Sequence, residues 1–199
     1  MSQPSRHVAS PNALGVTILE LVIVVGAGLL LGMVVLELSR VSSDTLAAIH
    51  GQGIVQMQVS AALSMISRDA RLATRAPESC APPICSMTYA FAGDSAVDGR
   101  AMLLLEVPAV DGGGLIIPSA YDYLVYDFDA ATGVLQRIVE AHAASSRISG
   151  TRMIARELTR VVFDTVTPNT MALTLWARWT ERQRPFNSSM AMRVAFRNP

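Results

Sequence analysis

The sequence contains no lysine, so arginine supplies all 16 basic residues, which balance 16 acidic residues to a formal net charge of +0. The arginines are spread along the chain and form no basic stripe. Proteins that bind nucleic acids concentrate positive charge, because phosphate contacts dominate their affinity. The composition therefore argues against a nucleic acid as a partner.

Histidine is also scarce, and the 3 present, His7, His50 and His142, are far apart in the sequence. The sequence has no serine nucleophile elbow, no phosphate-binding loop and no HExxH zinc motif. Each of these motifs brings a nucleophile, a phosphate cradle or a metal to one point. We therefore predict that the protein is not an enzyme and has no catalytic residues.

Only 2 cysteines are present, Cys80 and Cys85, and they flank the segment Ala-Pro-Pro-Ile. Two thiols without a nearby histidine are too few ligands for a structural metal site. A disulfide formed in an oxidising compartment is the better interpretation of this spacing. A pair of free thiols is the alternative.

A group of aspartates between residues 94 and 129 is the remaining candidate for a metal site. Calcium binds several oxygen ligands at once, but the spacing of these aspartates matches no calcium-binding loop. We therefore predict no metal and no cofactor, with calcium as the alternative to solvated carboxylates in turns. The aspartates are Asp94, Asp98, Asp111, Asp127 and Asp129.

A long apolar segment is the most informative feature that the sequence does contain. The run from Leu21 to Leu36 has no polar side chain, and Val16 to Leu36 is interrupted only by Thr17 and Glu20. At about 1.5 Å per residue, 16–36 would form roughly 30 Å of helix, the thickness of a bilayer core. We therefore predict a single transmembrane segment over 16–36. A carboxylate at the depth of Glu20 is costly unless it has a partner, which makes Glu20 a candidate functional residue.

The residues before this segment differ from an ordinary secretory signal, in which the cleavage site follows the apolar region. Here residues 1–15 are mainly polar and the apolar run comes after Gly15. A cut after Gly15 would remove the polar leader and keep the hydrophobic helix. The few charges near the segment barely select an orientation. A short polar N-terminus is more easily left in the cytoplasm than a large head, which favours placing the head on the opposite side of the membrane.

At these residues the chain resembles the type IV pilin superfamily, which includes pili, competence pseudopili and the pseudopilins of type II secretion. The likeness lies in Gly15, in a hydrophobic residue after it, in Thr17 and in Glu20 as the fifth residue after the cut. It implies that a prepilin peptidase cleaves between Gly15 and Val16 and that the new amine of Val16 is methylated. The chain departs from the common pattern in having Val16 as the first mature residue, and Glu37 where many major pilins have proline.

The resemblance implies a minor pilin or pseudopilin that initiates, primes or caps a filament. Its partners would be other minor and major pilins or pseudopilins, the prepilin peptidase, the inner-membrane assembly platform and the lipid bilayer. It would lie in the bacterial inner membrane with its head in the periplasm before entering the filament. The carboxylate of Glu20 would pair with the Val16 amine of its own or a neighbouring chain. The alternative is an uncleaved, single-pass, membrane-anchored periplasmic sensor or binding module.

The rest of the sequence predicts an α+β fold, with the helix continuing over 37–76 and a β-rich head over 77–199. One helix face carries small and branched apolar residues at steps of three and four, and this face should pack on the head. The head should be one antiparallel meander with a single wet face. Within it, a turn at 167–170 should lead to an alternating strand over 171–179, and 181–189 should be a polar loop. A loose likeness to minor pseudopilins of the J and W types covers 65–73 and 158–179. The apolar helix face consists of Val55, Val59, Leu63, Ile66, Ala70 and Ala73.

Overall fold

The computed structural model describes residues 17–167, 170–181 and 184–196. The predicted leader over 1–15, the cleavage residues Gly15 and Val16, and the tip of the turn at 168–169 lie outside the described residues. The chain divides into two compact units, with a boundary between Leu46 and Ala47. One helix near the N-terminus and a set of antiparallel sheets give the predicted α+β layout.

Helix α1 spans Ile18–Leu72, and its last part packs on the sheets of the second unit. The predicted apolar face is confirmed, because all six of its residues are buried in the main hydrophobic core. The helix ends earlier than the predicted boundary at residue 76. Shortly after the helix, the backbone of Thr74 and Arg75 forms a β-bridge with Glu106. The Thr74 N–H donates to the Glu106 carbonyl at 2.8 Å, and the Glu106 N–H donates to the Arg75 carbonyl at 3.0 Å.

The described part of the head contains three antiparallel sheets. A small sheet pairs β1 (Ser79–Cys80) with β2 (Tyr89–Ala90), and the short helix α2 (Ser95–Asp98) follows. The four-stranded sheet has the order β3-β4-β5-β6, and the three-stranded sheet has the order β7-β8-β9. Their bounds are β3 Arg100–Val110, β4 Ile116–Asp129, β5 Val134–Glu140, β6 Gly150–Ala155, β7 Leu158–Thr167, β8 Thr170–Glu181 and β9 Arg184–Ala195.

The two larger sheets replace the single meander that the sequence predicted, and the reason lies in the connection between β6 and β7. Glu157 has a φ of 61°, and the Leu158 N–H donates to the Gly133 carbonyl at 3.0 Å. Gly133 itself has a φ of 68°, and a Cβ on it would lie 2.9 Å from the Leu158 carbonyl oxygen. Strand β7 therefore starts against the β4–β5 turn instead of beside β6, and joins a different sheet.

The prediction of a wet second face is wrong for the middle of the four-stranded sheet. Ala101 to Val107 are buried on both faces of β3. One face contacts the main core, and the other contacts a second apolar cluster under the cysteine loop. The loop supplies the cover that a β-strand needs when both of its faces are apolar. The second cluster consists of Cys80, Cys85, Tyr89, Met102, Leu104 and Val125.

Strand β9 corrects another prediction, because the segment 181–189 was expected to be a polar loop. Strand β8 extends to Glu181 and β9 begins at Arg184, with Trp179 opposite Phe186 and Trp176 opposite Ser189. Polar residues such as Ser189 are tolerated there because β9 is an edge strand whose alternate side chains are exposed. The alternation predicted for β8 is confirmed, with Met171, Leu173, Leu175 and Ala177 buried.

Candidate functional site

The candidate assembly site is the start of helix α1, where Thr17 and Glu20 form a reciprocal pair of hydrogen bonds. The Glu20 N–H donates to Thr17 Oγ1 at 3.2 Å, and the Thr17 N–H donates to Glu20 Oε2 at 2.9 Å. This is a capping box, in which the first residue before the helix and the third residue within it satisfy each other's free N–H groups. The helix therefore begins at Ile18 because Thr17 caps it.

The capping box was missed by sequence reasoning, although its signal was present. A threonine followed three residues later by glutamate, just before an apolar run, is the sequence signature of this cap. The structure gives Glu20 a second role, which is to accept from the Thr17 backbone N–H, one of the donors that the start of a helix leaves without a partner.

The carboxylate of Glu20 keeps bonding capacity after this capping. The Thr17 hydroxyl donates to Oε2 at 3.1 Å, so both bonds from Thr17 go to the same oxygen. No cation within residues 17–167, 170–181 and 184–196 forms an ion pair with Glu20. The helix N-terminus favours a negative charge at this point. A cation could therefore bind Oε1 while the bonds from Thr17 to Oε2 keep the carboxylate in place.

The apolar segment that follows Glu20 is exposed along its whole length. Every valine, leucine and isoleucine from Leu21 to Leu36 is more than half exposed, the lowest value being 53% at Val25. Exposed apolar surface of this extent marks a site covered by lipid or by protein. The helix Ile18–Leu72 contains a stretch long and apolar enough to cross a membrane, which is compatible with a single-pass membrane protein.

Glycines on this segment have open space around them. A Cβ added at Gly28 or Gly32 would meet nothing within 4 Å, and the same is true of Gly26. Packing within the described chain therefore does not require glycine at these positions. Gly28 and Gly32 are spaced as a small-xxx-small pair, a pattern that lets helices approach closely where they pack in a membrane.

The cysteine loop is a separate structural site at the surface of the head. The sulfur atoms of Cys80 and Cys85 are bonded, with their Cα atoms 5.9 Å apart, and both residues are buried. Glu140 at the end of β5 holds the loop, because its carboxylate accepts from the Ser86 hydroxyl at 2.6 Å and from the Tyr89 hydroxyl at 2.7 Å. The disulfide thus closes the loop on itself, and the hydrogen bonds to Glu140 tie the loop to the four-stranded sheet.

Acid is expected to loosen the cysteine loop through Glu140. Burial acts to raise the pKa of Glu140, but the hydrogen bonds from Ser86 and Tyr89 outweigh it and lower that pKa. A group with a lowered folded-state pKa adds stability above its unfolded pKa and loses it as the pH falls through the folded value. The protection factors of the loop amides, which are corrected for the intrinsic pH dependence of exchange, should therefore fall below about pH 4.3, the ordinary pKa of glutamate. In Glu140→Gln the loop should exchange faster at neutral pH and respond less to acid, whereas equal acid responses in both proteins would contradict this role.

Four of the five aspartates considered for calcium have other partners. Asp94 pairs with Arg160 at 2.6 Å, and Asp127 pairs with Arg100 at 2.6 Å. Asp111 and Asp129 accept backbone N–H groups in their own turns. Within the described ranges, no group of three or more histidine, cysteine, aspartate or glutamate side chains is placed to hold a metal ion.

Buried carboxylates that the sequence did not reveal fasten the helix and the loops to the four-stranded sheet. Asp69 on α1 accepts from the Tyr126 hydroxyl and from Arg137 Nε, both at 2.6 Å. Burial and the charge of Asp69 raise the pKa of Tyr126, so its hydroxyl stays protonated and donates. Glu106 accepts two bonds from Arg75 and one from Tyr123. The carboxylates of Asp69 and Glu106 are thus structural ties, since both accept hydrogen bonds from side chains of the same chain.

A further tie surrounds Asp122, which has an exposed fraction of 0%. Its carboxylate accepts from the His142 N–H and the Ser145 hydroxyl, each at 2.8 Å, and from Arg147 Nη1. Arg147 also donates to the Pro108 carbonyl at 2.7 Å. A buried charge is tolerated when its hydrogen bonds are all made in this way. Asp122 thereby anchors the loop between β5 and β6.

Comparisons of the chain with protein-family models, with curated proteins and with solved structures found no match. Function is therefore inferred from the residues and geometry of the chain itself. The features that bear on it are the capped start of α1, the exposed apolar segment and the helix-and-sheet head.

Proposed function

We propose that this chain is a minor subunit of the type IV pilin superfamily and acts by assembling into a pilus or a type II secretion pseudopilus. The single observation that supports this most is the carboxylate of Glu20 in the first turn of an exposed apolar helix. That helix begins directly after the sequence Gly15-Val16-Thr17. The α+β layout and the membrane-length apolar segment agree with such a subunit. Its role would be initiation, priming or capping, since Glu37 stands where many major pilins have proline.

The proposed chemistry of the assembly site has three steps. Hydrolysis of the Gly15–Val16 peptide bond by a prepilin peptidase would leave a carboxylate on Gly15 and an amine on Val16. A methyl donor would then transfer its methyl group to that amine, which loses a proton. An ammonium from a neighbouring subunit could then approach Glu20 Oε1 while Oε2 keeps its bonds to Thr17. In the low-dielectric membrane such a pair is strong, although desolvation offsets part of the attraction. The pair would thus fix the axial register of the incoming helix.

The first test is the identity of the mature N-terminus. When the full chain is produced in a bacterium that contains a prepilin peptidase, mass spectrometry should find Val16 as the first residue, carrying one methyl group. In Gly15→Leu the leader should remain attached, because the peptidase no longer finds its glycine. Recovery of the wild-type chain with residues 1–15 still present would contradict the proposal.

The second candidate function is an uncleaved, membrane-anchored periplasmic sensor or binding module. The observation that favours it is the capping box, because Glu20 has a satisfied partner within its own chain and does not need a new amine. This function predicts that the wild-type chain and Gly15→Leu have the same N-terminus and the same activity. The mass-spectrometry experiment therefore separates the two.

A further inference from the structure

Strand β9 has a free edge that the fold does not protect. In the sheet order β7-β8-β9, no described strand pairs with the outer edge of β9. Its pairing with β8 shows no register shift, so no bulge twists the edge away. Natural proteins usually block such edges with charges, prolines or bulges, because unpaired N–H and C=O groups recruit another strand. From Phe186 to Met192 this edge has neither a charge nor a proline.

A cleft lies next to this edge, between β9 and the side of helix α1. Its volume is about 820 Å³, and Met190, Met192 and Leu63 supply apolar surface. The helix side also presents small hydroxyl side chains, and the Ser60 hydroxyl contacts the Met190 sulfur at 3.5 Å. The cleft is therefore wide enough and apolar enough to receive the side chains of a strand added beside β9.

The charge of the cleft selects the kind of strand that would fit. Arg68 and Arg71 line it and are exposed, while no aspartate or glutamate is among its described lining residues. Neither arginine forms an ion pair with a described residue. Arginine guanidinium groups pair well with carboxylates. The complementary segment is thus extended, apolar on one side, and acidic where it passes the helix.

We propose that the free edge of β9 and the adjoining cleft bind an extended acidic segment of a partner protein by β-strand addition. The backbone of that segment would continue the sheet, and its alternate side chains would enter the cleft. Carboxylates near one end would pair with Arg68 and Arg71. This interaction needs neither leader cleavage nor Glu20, so it is independent of the proposed function.

The test uses the full chain in detergent micelles and a fluorescent peptide, acetyl-Thr-Val-Thr-Val-Thr-Glu-Thr-Glu-amide, with binding followed by anisotropy. Two control peptides replace glutamate with lysine or carry N-methyl groups on alternate amides, which blocks sheet hydrogen bonds. The acidic peptide should bind best. The double variant Arg68→Glu/Arg71→Glu should weaken it about tenfold, since attraction becomes repulsion at two exposed sites.

Two further variants separate the cleft from general charge. Ser64→Trp fills the cleft without changing charge and should also weaken binding, because Ser64 lines it. Arg152→Glu changes an exposed arginine on β6, at the outer edge of the other large sheet, and should leave binding unchanged.

Several results would overturn the proposal. They are no binding of the acidic peptide at about 1 mM, equal binding of either control peptide, or equal affinity in the Arg68→Glu/Arg71→Glu protein. Displacement of the peptide by phosphatidylglycerol vesicles, with vesicle binding lost in the same variant, would instead identify an anionic lipid surface as the ligand.

Discussion

Replacement of Glu20 by glutamine is expected to lower recovery of the chain in filaments at least about tenfold, while the start of helix α1 stays capped. Glutamine can serve in a capping box as glutamate does, so the hydrogen bond to the Thr17 N–H is kept. What is lost is the negative charge that would pair with a Val16 amine. Removing one partner of a desolvated ion pair costs roughly 3–5 kcal/mol, which makes tenfold a lower bound. The measurement is the ratio of filament-bound to membrane-bound chain.

The matched control is Thr17→Val, which removes the capping hydroxyl and leaves the carboxylate of Glu20 in place. It should cost about 1 kcal/mol of helix-end stability and change filament recovery much less than Glu20→Gln does. The reverse order, with Glu20→Gln behaving as wild type and Thr17→Val failing, would show that Glu20 serves the helix cap alone. The proposed ion pair would then be wrong.

Replacement of Asp69 by alanine is expected to destabilise the head by about 3–5 kcal/mol, because it breaks a buried ion pair between helix and sheet. The side chains of Asp69 and Arg137 are 10% and 23% exposed, and their contact distance is 2.6 Å. Without Asp69, the Arg137 guanidinium and the fully buried Tyr126 hydroxyl lose a common acceptor. Denaturant unfolding of the full chain in detergent, followed by the fluorescence of Trp176 and Trp179, measures the loss.

Two control variants test whether the loss of stability comes from the buried ion pair. Tyr126→Phe removes one hydrogen bond and leaves the ion pair, so it should cost about 0.5–1.5 kcal/mol. Asp127→Ala breaks the pair with Arg100, whose side chain is 57% exposed, and should cost at most about 1 kcal/mol. If Asp69→Ala cost no more than Asp127→Ala, the buried tie between helix and sheet would contribute little to stability.

The helix and most strands could be predicted because their patterns are long and regular. The face from Val55 to Ala73 repeats at helical spacing over several turns, and β8 alternates strictly. The short edge strand β6 was missed, since Thr151, Arg152 and Met153 are all exposed and carry no alternation. The start of β9 was missed for a related reason: its polar residues resembled a loop, and only pairing with β8 makes them a strand.

The sequence by itself determined the apolar segment with its lone carboxylate, the α+β class and the buried face of helix α1, because each depends on local spacing along the chain. The tertiary structure decided the rest. It placed β7 in a separate sheet, covered the outer face of β3 with the cysteine loop, and gave Asp69, Glu106 and Asp122 their donors. These features depend on contacts between residues far apart in sequence, which residue order does not encode locally. The capping box of Thr17 and Glu20 depends on both sequence and structure. Its motif is local in the sequence, but the hydrogen-bond geometry showed that the carboxylate of Glu20 stabilises the start of the helix.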